Sequence, residues 1–314
     1  MSAPVLKTVT RSQGNNAAIK SGAITAEGFE LEFEEVPVLV QAFRRMVRAL
    51  EFDVCEMALT TYICAREHGV RFTALPIFLV RAFHHGAILH NELAPIADPR
   101  ELEGRRVGIG RGYTVTTGVW ARAVLQEEYG VQLDKVTWIL SGDEHVTSYR
   151  PPANVQPLAA GETIEAQLLA GDLAAAINVS VENPAIRPLI PNGLEAGFAA
   201  YRQRGHYPIN HCIVVRDELL AEYPTLAESL FRAFAESKAR YLAQLRGSPV
   251  EQLEGSDALY KRLQLLGADP LPYGVEPNRH VLETLIAHAL TQRILTRRPT
   301  LESLFAPPTL RLVG

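Results

Sequence analysis

The chain has 314 residues, 47% of them hydrophobic and 21% charged, which fits a soluble globular protein of two domains with a sizeable core. Thirty-one basic against 35 acidic residues leave a net charge of −4 with no basic block, which argues against nucleic acid and anionic membrane as partners. No apolar run approaches the roughly 18 residues that span a bilayer, and the N-terminal MSAPVLKTVTRSQGNN lacks the apolar core and cleavage site of an export signal, so a cytoplasmic protein is expected.

Leu6–Val9 reads as a first strand, ending in the polar loop Arg11–Asn16. Glu30–Glu35 alternates apolar and acidic residues, the period of a strand with one wet face. Val38–Leu50 is an amphipathic helix with Val40, Phe43, Val47 and Leu50 inward and Arg44, Arg45 and Arg48 outward. Phe52–Met57 is a buried strand that delivers Thr60 and Thr61 to a helix start, and Thr73–Phe78 and Gly86–His90 are further strands flanking Arg81, His84 and His85.

Arg106–Trp120, RVGIGRGYTVTTGVW, is the most informative stretch. A strand to Ile109 breaks at Gly110–Gly112, and Thr114–Thr117 stand where they cap a helix reaching about Tyr129. A helix start ringed with hydroxyls and free N–H groups seats a carboxylate; equally, Thr114, Thr116 and Thr117 serve as simple caps. The glycine spacing departs from a dinucleotide fingerprint, because Tyr113 fills its last position, and no Lys-Ser or Lys-Thr pair makes a P-loop. Neither NAD nor ATP, nor any other cofactor, is expected.

Lys135–Leu140 is a strand, Ser141–Pro157 a loop, Thr163–Ala170 a helix stopped by Gly171, and Asp172–Val179 a buried strand ending near Asn178. Glu182–Gly205 reads as irregular and Ile209–Arg216 as a strand. Thr225–Leu245 and Asn278–Thr291 are helices, and the proline-rich tail Leu301–Leu310 reads as a surface wrap, with Phe305 as an exposed apolar position suited to a homodimer. Strands alternating with helices give a mostly parallel sheet in each of two lobes. Ligands bind at the carboxyl ends of such strands, here the Arg11–Asn16 loop, Thr60–Thr61, the loop after Phe78, Gly110–Thr117 and Asn178.

Cys55, Cys64 and Cys212 lack a paired spacing and read as reduced, packed thiols. Cys212 follows His211, but neighbours in a strand point to opposite faces, which argues against a nucleophilic pair. Asp143, Glu144 and His145 sit in a polar loop without ligand spacing and read as solvated; no metal site is expected. His206 reads as lining a site mouth, and His280 and His288 as surface or packing residues of the last long helix.

Seven segments, in order, resemble the 4,5-dihydroxyphthalate decarboxylases, relatives of type II periplasmic solute-binding proteins. They are EFDVCEMALTTYI (Glu51–Ile63), RAFHHGAI (Arg81–Ile88), RVGIGRGYTVTTGVW, LQEEYGV (Leu125–Val131), PINHCIVVR (Pro208–Arg216), PYGVEPNR (Pro272–Arg279) and LFAPPTL (Leu304–Leu310). The resemblance implies an α/β, type II periplasmic-binding-protein-like fold, two α/β lobes with a ligand cleft between them. The expected division is residues 1–89 with 206–314, and 90–205. It also implies non-oxidative loss of CO2 from a hydroxylated aromatic acid, and histidines in the positions of His85 and His211. An arginine is common in the family where this chain has His84, and an acidic residue where it has Arg11.

That chemistry needs a held carboxylate, an electron-pushing hydroxyl and an acid to protonate the ring carbon. Histidine suits the last role, so His211 or His85 is the expected proton donor. Arg81 and Arg11 would bind carboxylate as bidentate forks. Asn16, Thr60, Thr61, His84, Thr114, Thr116, Thr117 and Asn178 would orient the ligand, and Tyr113 would wall it. The competing reading for His211 is a core histidine tied to a carbonyl, and for Arg81 an ordinary ion pair. The competing function is a non-catalytic solute-binding or sensor protein for a small carboxylate.

Overall fold

The computed structural model describes residues 3–314; Met1 and Ser2, the start of the stretch read for an export signal, lie outside the described residues. The chain divides into two units, Met1–Ala82 with Ile209–Leu282 and Pro299–Gly314, and Phe83–Pro208 with Glu283–Arg298. Phe83–Leu89, residues 206–208 and Glu283–Arg298, expected in the first lobe, therefore belong to the second unit.

The first unit opens with β1 (Val5–Val9), the single turn α1 (Ala17–Lys20), β2 (Glu30–Phe33) and α2 (Leu39–Ala49). Helix α2 buries Ala42, Phe43, Met46 and Val47, and Leu50 ends it in a left-handed conformation (φ 50°). All five residues of β3 (Val54–Ala58) are buried, and α3 (Leu59–Glu67) follows with Thr60 and Thr61 in its first turn. Strand β4 (Phe72–Arg81) runs three residues beyond its expected end. Pro76 fits because β4 is the edge strand, where a missing ladder N–H is tolerated.

The second unit holds β5 (Ile88–Asn91), β6 (Arg106–Ile109), α4 (Thr116–Tyr129), β7 (Thr137–Leu140), β8 (Val155–Pro157), α5 (Ile164–Ala170), β9 (Ala175–Ile177), β10 (Ile186–Pro188) and α6 (Gly193–Arg204). The expected loop Ser141–Pro157 thus ends in a strand, and the expected irregular stretch 182–205 holds a strand and a three-turn helix. Both were masked by proline and by short length: β8 and β10 are three residues each, too short for alternation to show. The chain returns to the first unit through β11 (Ile209–Arg216), α7 (Asp217–Glu222), α8 (Leu226–Gly247) and α9 (Gly255–Leu265), which is absent from the sequence reading, and then forms α10 (Arg279–Thr291).

The first sheet has the order β2-β1-β3-β11-β4, with β1 parallel to β2 and β3 and β11 antiparallel to β3 and β4. The second has the order β10-β5-β9-β6-β7-β8, parallel except where β5 meets β9 and β10. Ile139, Ile164, Leu168, Leu173, Ala176 and Ile186 form a core beneath it.

The tail does not wrap the surface. Phe305 is 2% exposed, bridges to Ala74 beside β4 and meets Phe78 edge-on at 6.0 Å between ring centres. The Tyr62 hydroxyl donates to the Leu304 carbonyl, and Ala306 N–H donates to the Ala74 carbonyl at 3.0 Å. Prolines that read as surface punctuation instead set an extended segment against a sheet edge, so Phe305 offers no exposed dimer contact.

Candidate functional site

In the first unit, β11 brings three expected residues to one end of the sheet. His211 lies opposite Ala58, just before Thr60, and Ile209 lies opposite Arg81. The β11–β4 register shifts on both sides of His211, the kind of irregularity that re-aims a side chain.

His211 pairs with a residue the sequence reading passed over. Glu56, in the middle of β3, is wholly buried, and its Oε1 lies 2.6 Å from His211 Nδ1. Its Oε2 accepts the Arg11 backbone N–H at 2.9 Å. Phe43 stands edge-on to the imidazole at 5.2 Å between ring centres. His211 is therefore tied to a carboxylate, not to a main-chain carbonyl, and with its side chain 18% exposed it keeps Nε2 as the nitrogen open to a ligand. Cys212 is fully buried, and burial pushes its thiol far up, so it is no nucleophile. The signal for Glu56 was present: it is the one charged residue in the strand VCEMA.

Arg81 is 2% exposed, and its Nη1 donates to Asn278 Oδ1 at 2.7 Å. Asn278 Nδ2 donates to the Pro272 and Gly274 carbonyls at 2.8 Å each. The PYGVEPN segment thus fixes Asn278, and Asn278 fixes Arg81. Arg11 is exposed at the end of β1. Asn16 is wholly buried with its amide engaged inside the loop, by Thr10 Oγ1, the Arg11 carbonyl and the Gln13 N–H. Thr60 and Thr61 are wholly buried, and Thr61 Oγ1 has no hydrogen-bond partner among the described residues.

In the second unit, the turn after β6 is braced by Asn178, whose Nδ2 donates to the Gly110 carbonyl at 3.2 Å and whose backbone is left-handed (φ 59°). The expected threonine cap does not form. Val115 is the N-cap of α4, without a side-chain cap. The carboxylate seat is filled from within: Glu144 accepts the N–H groups of Tyr113 and Thr114, the latter at 3.2 Å, and the Thr114 hydroxyl at 2.6 Å. Gly112 makes this possible, since a Cβ there would lie 2.9 Å from Glu144 Oε2. Glu144 is only partly exposed and His145 is 2% exposed, so the Asp143–His145 loop is not simply solvated.

Beneath the seat lies Arg122, wholly buried, its guanidinium 3.8 Å from the centre of the Tyr113 ring. It donates to the Tyr113 carbonyl and to Gln292 Oε1, both at 2.7 Å, and burial lowers its pKa. Thr116 is buried in the first turn of α4 and Thr117 half-buried.

His84 is 4% exposed and His85 3%. His85 Nε2 lies 3.0 Å from both oxygens of Glu128, which also pairs with Arg204. Burial raises the Glu128 pKa, but the bonds to His85 and Arg204 outweigh it and the carboxyl titrates below its usual range. His85 is thus engaged in an ion cluster packed on α4. His206 and His288 both stand edge-on to Trp120, at 5.0 and 6.0 Å between ring centres, and burial pushes His206 down to about 4. Among the described residues no group of three or more His, Cys, Asp or Glu side chains is arranged to hold a metal ion, and no helix is long and apolar enough to cross a membrane.

No protein-family model matches the chain. Solved structures share the fold at low identity. The desulfurization enzyme DSZB covers 96% of this chain and 96% of its own at TM-score 0.56 and 16% identity. The periplasmic aliphatic sulphonate binding protein SsuA from Escherichia coli covers 96% and 97% at TM-score 0.52 and 13% identity. The fold is therefore that of the periplasmic binding proteins, as two α/β units. The 4,5-dihydroxyphthalate decarboxylase of Pseudomonas putida is 31% identical over 145 residues, 44% of this chain and 56% of its own. That of Comamonas testosteroni is 30% identical over 287 residues, 86% of this chain and 87% of its own. Identity at that level, sustained over nearly the whole length of both proteins, places the chain in the 4,5-dihydroxyphthalate decarboxylase family.

Proposed function

We propose that the chain is a carboxy-lyase that removes CO2 without oxidation from a small hydroxylated aromatic acid of the 4,5-dihydroxyphthalate type. The observation that carries the mechanism is the His211–Glu56 pair. A buried carboxylate 2.6 Å from Nδ1 orients the ring and presents Nε2 as the nitrogen that exchanges a proton with the substrate.

In the reaction, the hydroxyl para to the departing carboxylate pushes electron density into the ring, and the carbon that bears the carboxylate takes the proton from His211 Nε2. The bond from that carbon to the carboxylate then breaks, its electron pair restoring the aromatic ring as CO2 leaves. Arg81, at the end of β4, and the exposed Arg11, at the end of β1, supply positive charge for the substrate carboxylates. His85 is assigned a structural role, because both oxygens of Glu128 engage its Nε2. The three cysteines are free and buried, which suits the reducing cytoplasm.

The test is incubation of the purified protein with 4,5-dihydroxyphthalate, following CO2 release and formation of 3,4-dihydroxybenzoate. Turnover that is lost in His211→Asn and kept in His85→Asn is the expected result. Thermal stabilisation by the acid without turnover would support the solute-binding reading instead. Wild-type turnover in both His211→Ala and His85→Ala would remove the acid assignment altogether.

A further inference from the structure

Arg111 stands where the backbone favours glycine. It is left-handed (φ 82°), in the turn between Gly110 and Gly112 at the carboxyl end of β6. A side chain is strained there, because its Cβ crowds the following carbonyl. The turn is held on several sides. The Arg111 N–H donates to Ser141 Oγ and the Gly110 N–H to the Ile177 carbonyl, both at 2.8 Å. A Cβ on residue 110 would sit 2.2 Å from the Asn178 carbonyl oxygen, and one on residue 142 would sit 3.3 Å from Arg111 Cα. Glycine thus fills the crowded positions, and arginine the left-handed one that glycine enters most easily.

No bond within the fold offsets that strain. The Arg111 side chain is exposed, and its guanidinium has no hydrogen-bond or ion-pair partner among the described residues. The turn desolvates it enough to lower its pKa, with no acid acting in the other direction. A partly desolvated cation without a counter-charge is unfavourable, and a bound anion relieves it.

A second arginine repeats the pattern. Arg293 follows the end of α10 with its own left-handed backbone (φ 58°). Its N–H donates to the Leu290 carbonyl at 2.9 Å and the Ile294 N–H to the Ala289 carbonyl at 2.7 Å, a helix end that ordinarily places glycine at this position. Arg293 is also exposed, with no side-chain partner among the described residues. Buried Arg122 ties the two places together. It donates to the Tyr113 carbonyl, two residues from Arg111, and to Gln292, the neighbour of Arg293. The charge of Arg293 also acts on the Tyr113 phenol.

Two acids beside the turn oppose an anion. Glu144 is engaged by the Tyr113 and Thr114 N–H groups and lies in the field of Arg122, and Asp143 is exposed. Arg111, Arg122 and Arg293 outnumber them.

We propose that Arg111 is a carboxylate-binding residue of the second unit, an exposed guanidinium set in a strained turn for a ligand and not for the fold, with Arg293 adding to the positive field around it. The ligand class, an aromatic acid, rests on the decarboxylase reading. The helix N–H groups of this turn are taken by Glu144, and the cation that precedes them is what the turn offers to a ligand.

The experiment is calorimetric binding of phthalate, which lacks the ring hydroxyls and so reports affinity without turnover, to the wild-type protein, Arg111→Gly and Arg111→Asn, with thermal unfolding of each. Glycine and asparagine both accept a left-handed backbone, so the unfolding temperature should stay level or rise. Phthalate affinity should fall tenfold or more in both variants, the size of one charge-assisted hydrogen bond, and should depend less steeply on salt. With 4,5-dihydroxyphthalate, KM should rise by a similar factor while kcat stays within threefold. Unchanged phthalate affinity in both variants, or no phthalate binding by the wild type, would overturn the proposal. A lowered unfolding temperature in both variants would also overturn it, by assigning the arginine to the fold. Phthalate binding that is lost in the variants of a wild type without turnover would sink the decarboxylase reading and leave the anion site standing. Turnover with an unchanged KM in the variants would do the reverse.

Discussion

Replacing Glu56 by glutamine tests the His211–Glu56 pair with almost no change in volume. Glu56 accepts two hydrogen bonds, from His211 Nδ1 at 2.6 Å and from the Arg11 N–H at 2.9 Å. Glutamine has one acceptor oxygen and brings an NH2 group, so one of those two donors must face another donor. An unsatisfied buried donor costs about 1–3 kcal/mol, and a charge-assisted bond reduced to a neutral one loses about 1 kcal/mol more. The sum, near 3 kcal/mol, corresponds to about 100-fold, because 1.4 kcal/mol is a factor of ten. We expect Glu56→Gln to lower kcat for 4,5-dihydroxyphthalate by about that factor with KM changed less than threefold, since the pair acts on proton delivery and not on binding. His211→Asn should lower kcat further, and adding Glu56→Gln to it should do almost nothing, the non-additivity of two groups acting as one. Steady-state kinetics on the four proteins, with urea unfolding to confirm that each is folded, measures all of this. Strictly additive effects of the two changes, or a wild-type kcat in folded Glu56→Gln, would refute the reasoning.

Three further expectations concern stability and the second unit. Burial holds His206 near 4 against an ordinary value of 6.5, so the native state resists a proton that the unfolded chain accepts. Stability should therefore fall as pH drops from 6.5 toward 4, by about 2–3 kcal/mol from this group, and His206→Gln should flatten that slope in urea titrations; an unchanged slope would contradict the assignment. Glu144→Ala exposes the Tyr113 and Thr114 amides and should cost about 1–3 kcal/mol in thermal unfolding, with sulfate restoring more stability to the variant than to the wild type; equal salt responses would mean that the seat does not take anions. Gly14→Ala forces a methyl group into the Tyr241 ring and should destabilise by 1–3 kcal/mol or more, a loss largely absent when it is introduced into Tyr241→Ala; an equal loss in both backgrounds would count against the contact.

Strand and helix periodicity carried most of the fold, and the failures have definite causes. Strands β8 and β10 are three residues long and contain or adjoin proline, so neither alternation nor propensity marks them. The tail was misplaced because Pro307 and Pro308 signal a turn but say nothing about what lies beneath, and the sheet edge that receives Phe305 is more than 200 residues away in sequence. At the candidate site, Arg11, Arg81 and His211 were legible as charges at strand ends. Glu56 was legible only as a lone charge inside an apolar strand, which has no spacing rule; its partner, 155 positions on, explains it. Likewise the Gly110–Thr117 turn reads equally as an anion seat and as a helix cap, and the carboxylate that decides between them, Glu144, comes from a loop that carries no pattern.

The two functional readings, a decarboxylase and a receptor for a carboxylate, share a fold, and Glu56 separates them. Neighbouring positions in β3 are Val54, Cys55, Met57 and Ala58, all buried, so an apolar residue at 56 would fit the strand without the cost of desolvating a charge. A receptor for an anion would gain nothing from a buried negative charge set one imidazole away from its ligand, since the charge repels what it should bind. An acid catalyst gains what it needs: an imidazole held in one orientation, with its second nitrogen presented to the substrate. Arg11 and Arg81 at the same end of the sheet offset the repulsion that this arrangement would otherwise cause. Local consistency is broken at position 56, and such a violation fits the proposed proton transfer through His211 better than a binding scaffold.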